Sequence, residues 1–265
     1  MKSILLPVFG DPGLESRLRA ALALSRQFGA HLTCLQTFPD AGLAVGSFGE
    51  AAVYYTKLIE EIEQAQRTER AALDARLAKE DVPWSWVQFG MDPAYALTSQ
   101  ARLSDLIVLS NIIGPSLPPG PEPAHVVLRA AVPSLVVPQG AAPLDPAAPV
   151  MIAWNGSPEV AAAVHGALPL LKGAPVFLVE AGDPDRDYPA GAAAAYLSRH
   201  DIHATVQSVV LQDEIAETLL VTARGLGAGL IVMGAYGHTR LREAMFGGAT
   251  RDMLDRSTVP LLMAH

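Results

Sequence analysis

Residues 4–13 (ILLPVFGDPG) and residues 150–159 (VMIAWNGSPE) carry one pattern at an offset of 146 positions: an apolar run, then Gly-x-Pro, then a helical periodicity. Two further pairs follow in the same order. DLIVLS (105–110) matches GLIVMG (229–234), and VPSLVV (132–137) matches VPLLMA (259–264). Three landmarks repeated in sequence point to an internal duplication, so the fold must be one that a half-length unit can build twice. The expected units are residues 1–140 and 148–265, and residues 139–149 (QGAAPLDPAAP) read as a proline- and alanine-rich connection between them.

Within each unit strands alternate with helices. The first half predicts strand Ile4–Phe9, a helix around Glu15–Phe28 stopped by Gly29, and strand His31–Phe38. A long helix from about Glu50 to Lys79 follows, a solvated face with i,i+4 pairs such as Glu63/Arg67. Strand Trp84–Phe89, a helix start at Asp92–Pro93, strand Leu106–Ser110 and strand Pro133–Val137 complete it. The second half predicts a helix capped by Ser157 and opened by Pro158 and Glu159, with Gly173 at its end. Strand Val176–Ala181, a helix over about Ala190–His200, strand Ala204–Leu211, helix Glu214–Arg224 and strand Leu230–Met233 come next. The strands are continuous apolar runs, which implies parallel sheets covered on both faces. The expected class is α/β: two tandem doubly wound parallel-sheet domains of about five strands each, with any ligand in a crevice at the strands' carboxyl ends.

Composition narrows the partners. Half of the 265 residues are hydrophobic and 17% are charged, enough for a sizeable core and against disorder. A net charge of −8 argues against sequence-independent binding to nucleic acid or to an anionic membrane surface. No apolar run approaches the roughly 20 residues that span a bilayer. Pro7 and Gly10 interrupt the N-terminus before a signal-peptide core develops, and the single cysteine, Cys34, reads as a buried thiol. A cytoplasmic protein is expected.

The stretch with most chemical content is Leu230–Thr250, LIVMGAYGHTRLREAMFGGAT. It delivers an apolar strand into Gly234, Gly237, Gly247 and Gly248, and a helix candidate starts near Gly248–Thr250. Glycine lets backbone N–H groups approach an anion, and a helix N-terminus adds unpaired donors and a positive dipole end. The stretch reads as a nucleotide-phosphate cradle, with tight turns as the plainer alternative. His238 is a candidate phosphate donor. Arg240, Arg242 and Arg251 could add charge but read as surface arginines. Gly225, Gly227 and Gly229 precede a strand and read as a helix stop, not a dinucleotide fingerprint. No metal site is expected: His200 and His203 read as a solvated loop pair, and Asp183, Asp185 and Asp187 as a solvated turn. No catalytic residues are expected, since neither a GxSxG elbow nor a distinctive carboxylate pair is present.

The spacing Gly234-x2-Gly237-x9-Gly247-Gly248, led in by LIVMG and followed by ATRDML and VPLLM, resembles the universal stress protein family of Rossmann-like, adenine nucleotide alpha hydrolase-like domains. In that family the pattern ends in Gly-Ser/Thr and the loop holds the ribose and phosphates of ATP in members that bind it; here Gly248 stands at the Ser/Thr position. The resemblance implies contacts to ribose and phosphates from Gly234, Gly237, His238, Gly247, Gly248, Ala249 and Thr250. It also implies contacts near adenine and ribose from Ala153, Trp154, Asn155, Ala181 and Met233, with Asn155 where an aspartate is usual. The first half has lost the loop: Ser110 and Ile113 stand for Gly234 and Gly237, SLPPGPEP (116–123) replaces the rest, and Phe9 stands for Asn155. The resemblance implies a tandem regulatory protein that binds ATP, with or without Mg²⁺, in its C-terminal domain. It also implies edge-to-edge pairing of its two domains through their last strands, and a homodimer as a further option. A slow ATP hydrolase and a nucleotide-free interaction module remain as alternatives.

Overall fold

The computed structural model describes residues 1–38, 50–90, 92–111, 120–182, 188–211, 214–236 and 248–265. The first half forms β1 (Ser3–Pro7), α1 (Leu14–Phe28), β2 (His31–Thr37), α2 (Glu50–Leu77), β3 (Trp84–Phe89), α3 (Pro93–Gln100), β4 (Leu106–Asn111), α4 (Pro123–Arg129) and β5 (Ser134–Pro138). The second forms β6 (Val150–Ala153), α5 (Pro158–Leu171), β7 (Val176–Ala181), α6 (Ala190–Ser198) and β8 (Ala204–Val209). It then continues through α7 (Ile215–Leu226), β9 (Leu230–Gly234), α8 (Gly248–Arg256) and β10 (Leu261–Ala264). Local chemistry sets the boundaries. Asp92 accepts a bond from Tyr95 N at 2.9 Å and Ser157 from Val160 N at 3.3 Å, each followed by proline at the first helical position. Gly29 and Gly227, both left-handed, end α1 and α7.

The strands form one ten-stranded sheet in the order β3-β2-β1-β4-β5-β10-β9-β6-β7-β8. Each half has the same internal order, its first strand lying between its second and fourth. All pairings within a half are parallel, whereas β5 meets β10 antiparallel, with Val136 opposite Leu261, Leu135 opposite Leu262 and Ser134 opposite Met263. The five-stranded sheets of the two halves thus join edge to edge through their last strands. The reason is in the residues: β5 and β10 are buried along nearly their whole length, and a strand apolar on both faces cannot be left as an edge.

Side chains alternate between two cores, one on each face of the sheet, and both run across the junction. One contains Leu6, Leu18 and Val108 with Ile152, Val164 and Leu262; the other contains Leu5, Leu97 and Ile107 with Met151, Leu219 and Met253. Cys34 sits in the first of these, and burial pushes its thiol up to about 12, the character of an inert core residue. The halves also meet where α5 passes the start of β5. A methyl group on Gly166 would lie 2.1 Å from Pro133 Cγ.

Alanine for glycine in an unconstrained helix interior gains about 1 kcal/mol. At Gly166 the sign reverses, because the added carbon overlaps Pro133; Gly166→Ala is expected to cost about 1–3 kcal/mol in urea unfolding, as overpacking does.

Candidate functional site

The strand order reverses at β6, whose neighbours β7 and β9 lead away to opposite sides, so a crevice opens at the carboxyl ends of these strands. Register brings sequence-distant candidates together there. Ala153 lies beside Met233 on β9 and Val179 on β7, and Ala181 ends β7 beside Val209. After β6, Trp154 is buried, its N–H bonded to Val179 O at 2.8 Å and its indole N–H to Tyr188 O at 2.9 Å. Trp154 therefore braces the chain leading into α6. Asn155 is exposed, and its Oδ1 accepts from Ser157 N at 3.1 Å, closing an Asx turn around Gly156 (φ 80°).

Gly234 answers to packing. A Cβ there would lie 2.6 Å from Val160 N and 2.9 Å from Glu159 Cβ, so the first turn of α5 rests directly on the end of β9. Beyond it two amides are already committed: Ala235 N donates to Ala264 O at 2.9 Å, and Tyr236 N donates to Thr250 Oγ1 at 3.3 Å. His265 Nδ1 lies 2.8 Å from Ala235 O. Tyr236 holds a positive φ of 57°, a conformation that favours glycine. Its hydroxyl is held above the ordinary tyrosine range, first by burial and then by the nearby Glu122 carboxylate, against the pull of Arg251. The buried Thr250 thus ties the exit from β9 to the first turn of α8. The first amides of α8, at Gly248, Ala249 and Thr250, have no acceptor within the helix. Arg251 is exposed and faces Asp255 at 3.9 Å. Gly237, His238, Gly247, Arg240 and Arg242 lie outside the described residues, as do Ile113 and Asp183, Asp185 and Asp187. Among the described residues no cluster of three His, Cys, Asp or Glu suited to a metal occurs. The His200 ring stacks against Tyr196 at 4.8 Å, and Tyr196 lies 5.2 Å from His165.

The sequence model of the Universal stress protein family matches residues 148–265. Residues 148–265 form a domain of the universal stress protein family. A comparison with curated proteins finds no match. Among solved structures, a universal stress protein from Archaeoglobus fulgidus DSM 4304 shares its fold at a TM-score of 0.68 and 15% identity, over 99% of this chain and 95% of that one. A functionally unknown protein from Pseudomonas aeruginosa PAO1 is similar at a TM-score of 0.55 and 16% identity, over 99% and 92%. A provisionally assigned universal stress protein from Pseudomonas aeruginosa UCBPP-PA14 follows at 0.54 and 15%, again over 99% and 92%. At these identities the likeness is one of fold.

The first half repeats the topology of the second but fills the equivalent crevice with its own side chains. Arg17, on the sheet-facing side of α1, is 1% exposed. It makes a two-pronged bond to Asp11 at 2.7 and 2.6 Å, and its Nε donates to Pro7 O at 2.9 Å. Asp11 also accepts from Gly13 N at 2.7 Å. From α2, Gln66 donates to Thr37 O at 2.6 Å and accepts from Gln36 on its backbone at 3.2 Å. Glu69 approaches Gly10 and has its carboxyl raised, mainly by burial, with Arg17 lowering it and Asp11 raising it further. None of these residues stood out in the sequence. The available signal was an arginine next to Leu18, on the stripe that continues through Ala21, Leu22 and Ser25.

Removing one member of a buried pair strands the other charge. Arg17→Met is expected to cost about 3–5 kcal/mol in urea unfolding, and the double change Asp11→Asn with Arg17→Met less than that single change. A smaller loss in the single variant than in the double variant contradicts the buried-pair account.

Proposed function

We propose that the chain, through its universal stress protein domain, binds an adenine nucleotide, ATP first among them, at the carboxyl ends of β6 and β9, and acts as a regulator and not as a catalyst. The observation that carries the reading is the convergence at one strand-order reversal of Ala153, Met233, Gly234 and the N-terminus of α8. Adenine would lie between the ends of β6 and β7, near Ala153, Asn155 and Ala181, with Met233 against it. The phosphates would take the first amides of α8, where the dipole favours negative charge, and those of Gly237 and Gly247 with His238. Gly248 contributes backbone only. Mg²⁺ would arrive on the phosphates, holding most of its own water.

In this reading residues 1–140 and 148–265 are the two domains of a cytoplasmic protein, and only the second takes nucleotide. The Arg17–Asp11 pair occupies the corresponding place in the first. Nucleotide bound there would bias the surface beside Glu122, which lies within electrostatic reach of Tyr236. A nucleotide-free interaction module is the second reading. It is favoured by the committed amides of Ala235 and Tyr236 and by the use of Asn155 Oδ1 within its own turn.

Calorimetry separates the two. Titration with ATP is expected to give one site per chain, lost on Gly237→Val. Absence of heat at millimolar ATP, together with no nucleotide in mass spectra of the freshly denatured protein, rejects the nucleotide reading in favour of the second.

A further inference from the structure

The second residue of α5, Glu159, is 8% exposed, and its Oε2 is wholly buried without a hydrogen-bond partner. The other buried side-chain atoms in that condition, among the described residues, are Ser25 Oγ, Gln66 Oε1 and Ser134 Oγ, none of them ionisable. A carboxylate taken out of water with an oxygen unanswered works against folding, and such groups persist where something else answers them. Its place in the fold says where that partner comes from. Glu159 follows β6 by one tight turn and packs its Cβ against Gly234 at the end of β9, so it stands at the crevice between these two strands. The duplicated half shows that this packing does not itself require a carboxylate. There the same contact is made by Gly13 against Ser110, with the glycine on the helix side.

We propose that Glu159 reads the sugar of the bound nucleotide, accepting a hydrogen bond from a ribose hydroxyl and so selecting ribonucleotides over deoxyribonucleotides. The inference rests on the nucleotide reading above. Two features of the geometry assign the sugar to Glu159 and not the phosphates. A carboxylate repels phosphate, and α5 packs into one core while α8 packs into the other, so the acceptor and the anion-binding helix end stand on opposite faces of the sheet. A ligand that spans them needs a negative group at one end and a hydroxyl donor close behind it, which is the arrangement of a nucleoside phosphate. A divalent cation is a poorer occupant, since it needs several oxygen ligands and no acidic cluster surrounds Glu159 among the described residues. Asn155, the other polar side chain at the end of β6, has its oxygen engaged by Ser157 N and leaves the acceptor role to Glu159.

The test is calorimetric titration of the full chain with ATP, 2′-deoxyATP and 3′-deoxyATP, in the wild type, Glu159→Gln and Glu159→Ala, with thermal melts of each in the absence of ligand. The wild type is expected to bind ATP about tenfold or more tightly than at least one deoxy analogue, as a hydrogen bond to a charged acceptor supplies. Glu159→Ala is expected to bind all three alike, Glu159→Gln to show a reduced preference, and neither unliganded variant to melt below the wild type. Equal binding of the three nucleotides by the wild type, or a preference retained in Glu159→Ala, overturns the proposal while leaving nucleotide binding intact. Unliganded variants that melt well below the wild type also overturn it, because Glu159 is then answered within the fold. No binding of ATP by the wild type overturns both this proposal and the reading beneath it.

Discussion

The antiparallel contact between β5 and β10 is the interaction on which the rest depends. Each five-stranded half ends in a strand buried on both faces, and neither strand could face water as an edge. Pairing equivalent strands of a duplicated unit antiparallel gives the relation of a two-fold axis, so one chain builds internally what two copies of a half-length chain would build by association. The pairing also joins the cores. Hydrophobic clusters on both faces run from one half into the other, and α5 lies so close to Pro133 that a side chain at Gly166 has no room.

With the two halves held in one frame, their divergence can be compared position by position. The close approach of the first helix to the end of the fourth strand recurs in both, and one partner must be glycine each time. In the first half it is Gly13 on the helix, facing Ser110; in the second it is Gly234 on the strand, facing Glu159. The polar content of each crevice follows from that choice. In the first half Asp11 caps the turn and is neutralised by Arg17, while Gln36 and Gln66 bond each other's neighbourhood across β2 and α2. In the second half Ser157 and Ala163 stand where Asp11 and Arg17 stand in the first, so that pair of charges has no counterpart at these positions.

Much of the architecture was legible because it is written in local chemistry. Asp92-Pro93 and Ser157-Pro158 announce helix starts, Gly29 and Gly227 announce helix ends, and the apolar runs announce internal strands. The 146-residue offset aligned Gly13 with Glu159, and the DLIVLS/GLIVMG pair aligned Ser110 with Gly234, but their contact depends on how deeply a helix settles on a sheet, which no local pattern encodes. The Arg17–Asp11 pair was hidden for a similar reason: an arginine beside an apolar stripe reads as surface until its partner is found six residues away across a turn. Site residues divide along the same line. Register sets Ala153 beside Met233, whereas the use of the Tyr236 amide by Thr250 could not be seen in a glycine-rich string.

That last bond reshapes what the crevice can do. A cradle that began at the end of β9 would offer successive amides from Gly234 onward, but Ala235 and Tyr236 spend theirs on Ala264 and Thr250. Donors for an anion are therefore displaced towards α8, away from the end of β6. The opposite side of the crevice holds Glu159, an acceptor with an unanswered oxygen. Donors on one face of the sheet and an acceptor on the other make the crevice polar in a definite direction. A simple anion would meet only half of it, whereas a molecule carrying both phosphate and hydroxyl groups meets both halves. That polarity follows from where α5 and α8 pack, and so from the duplicated sheet that positions them.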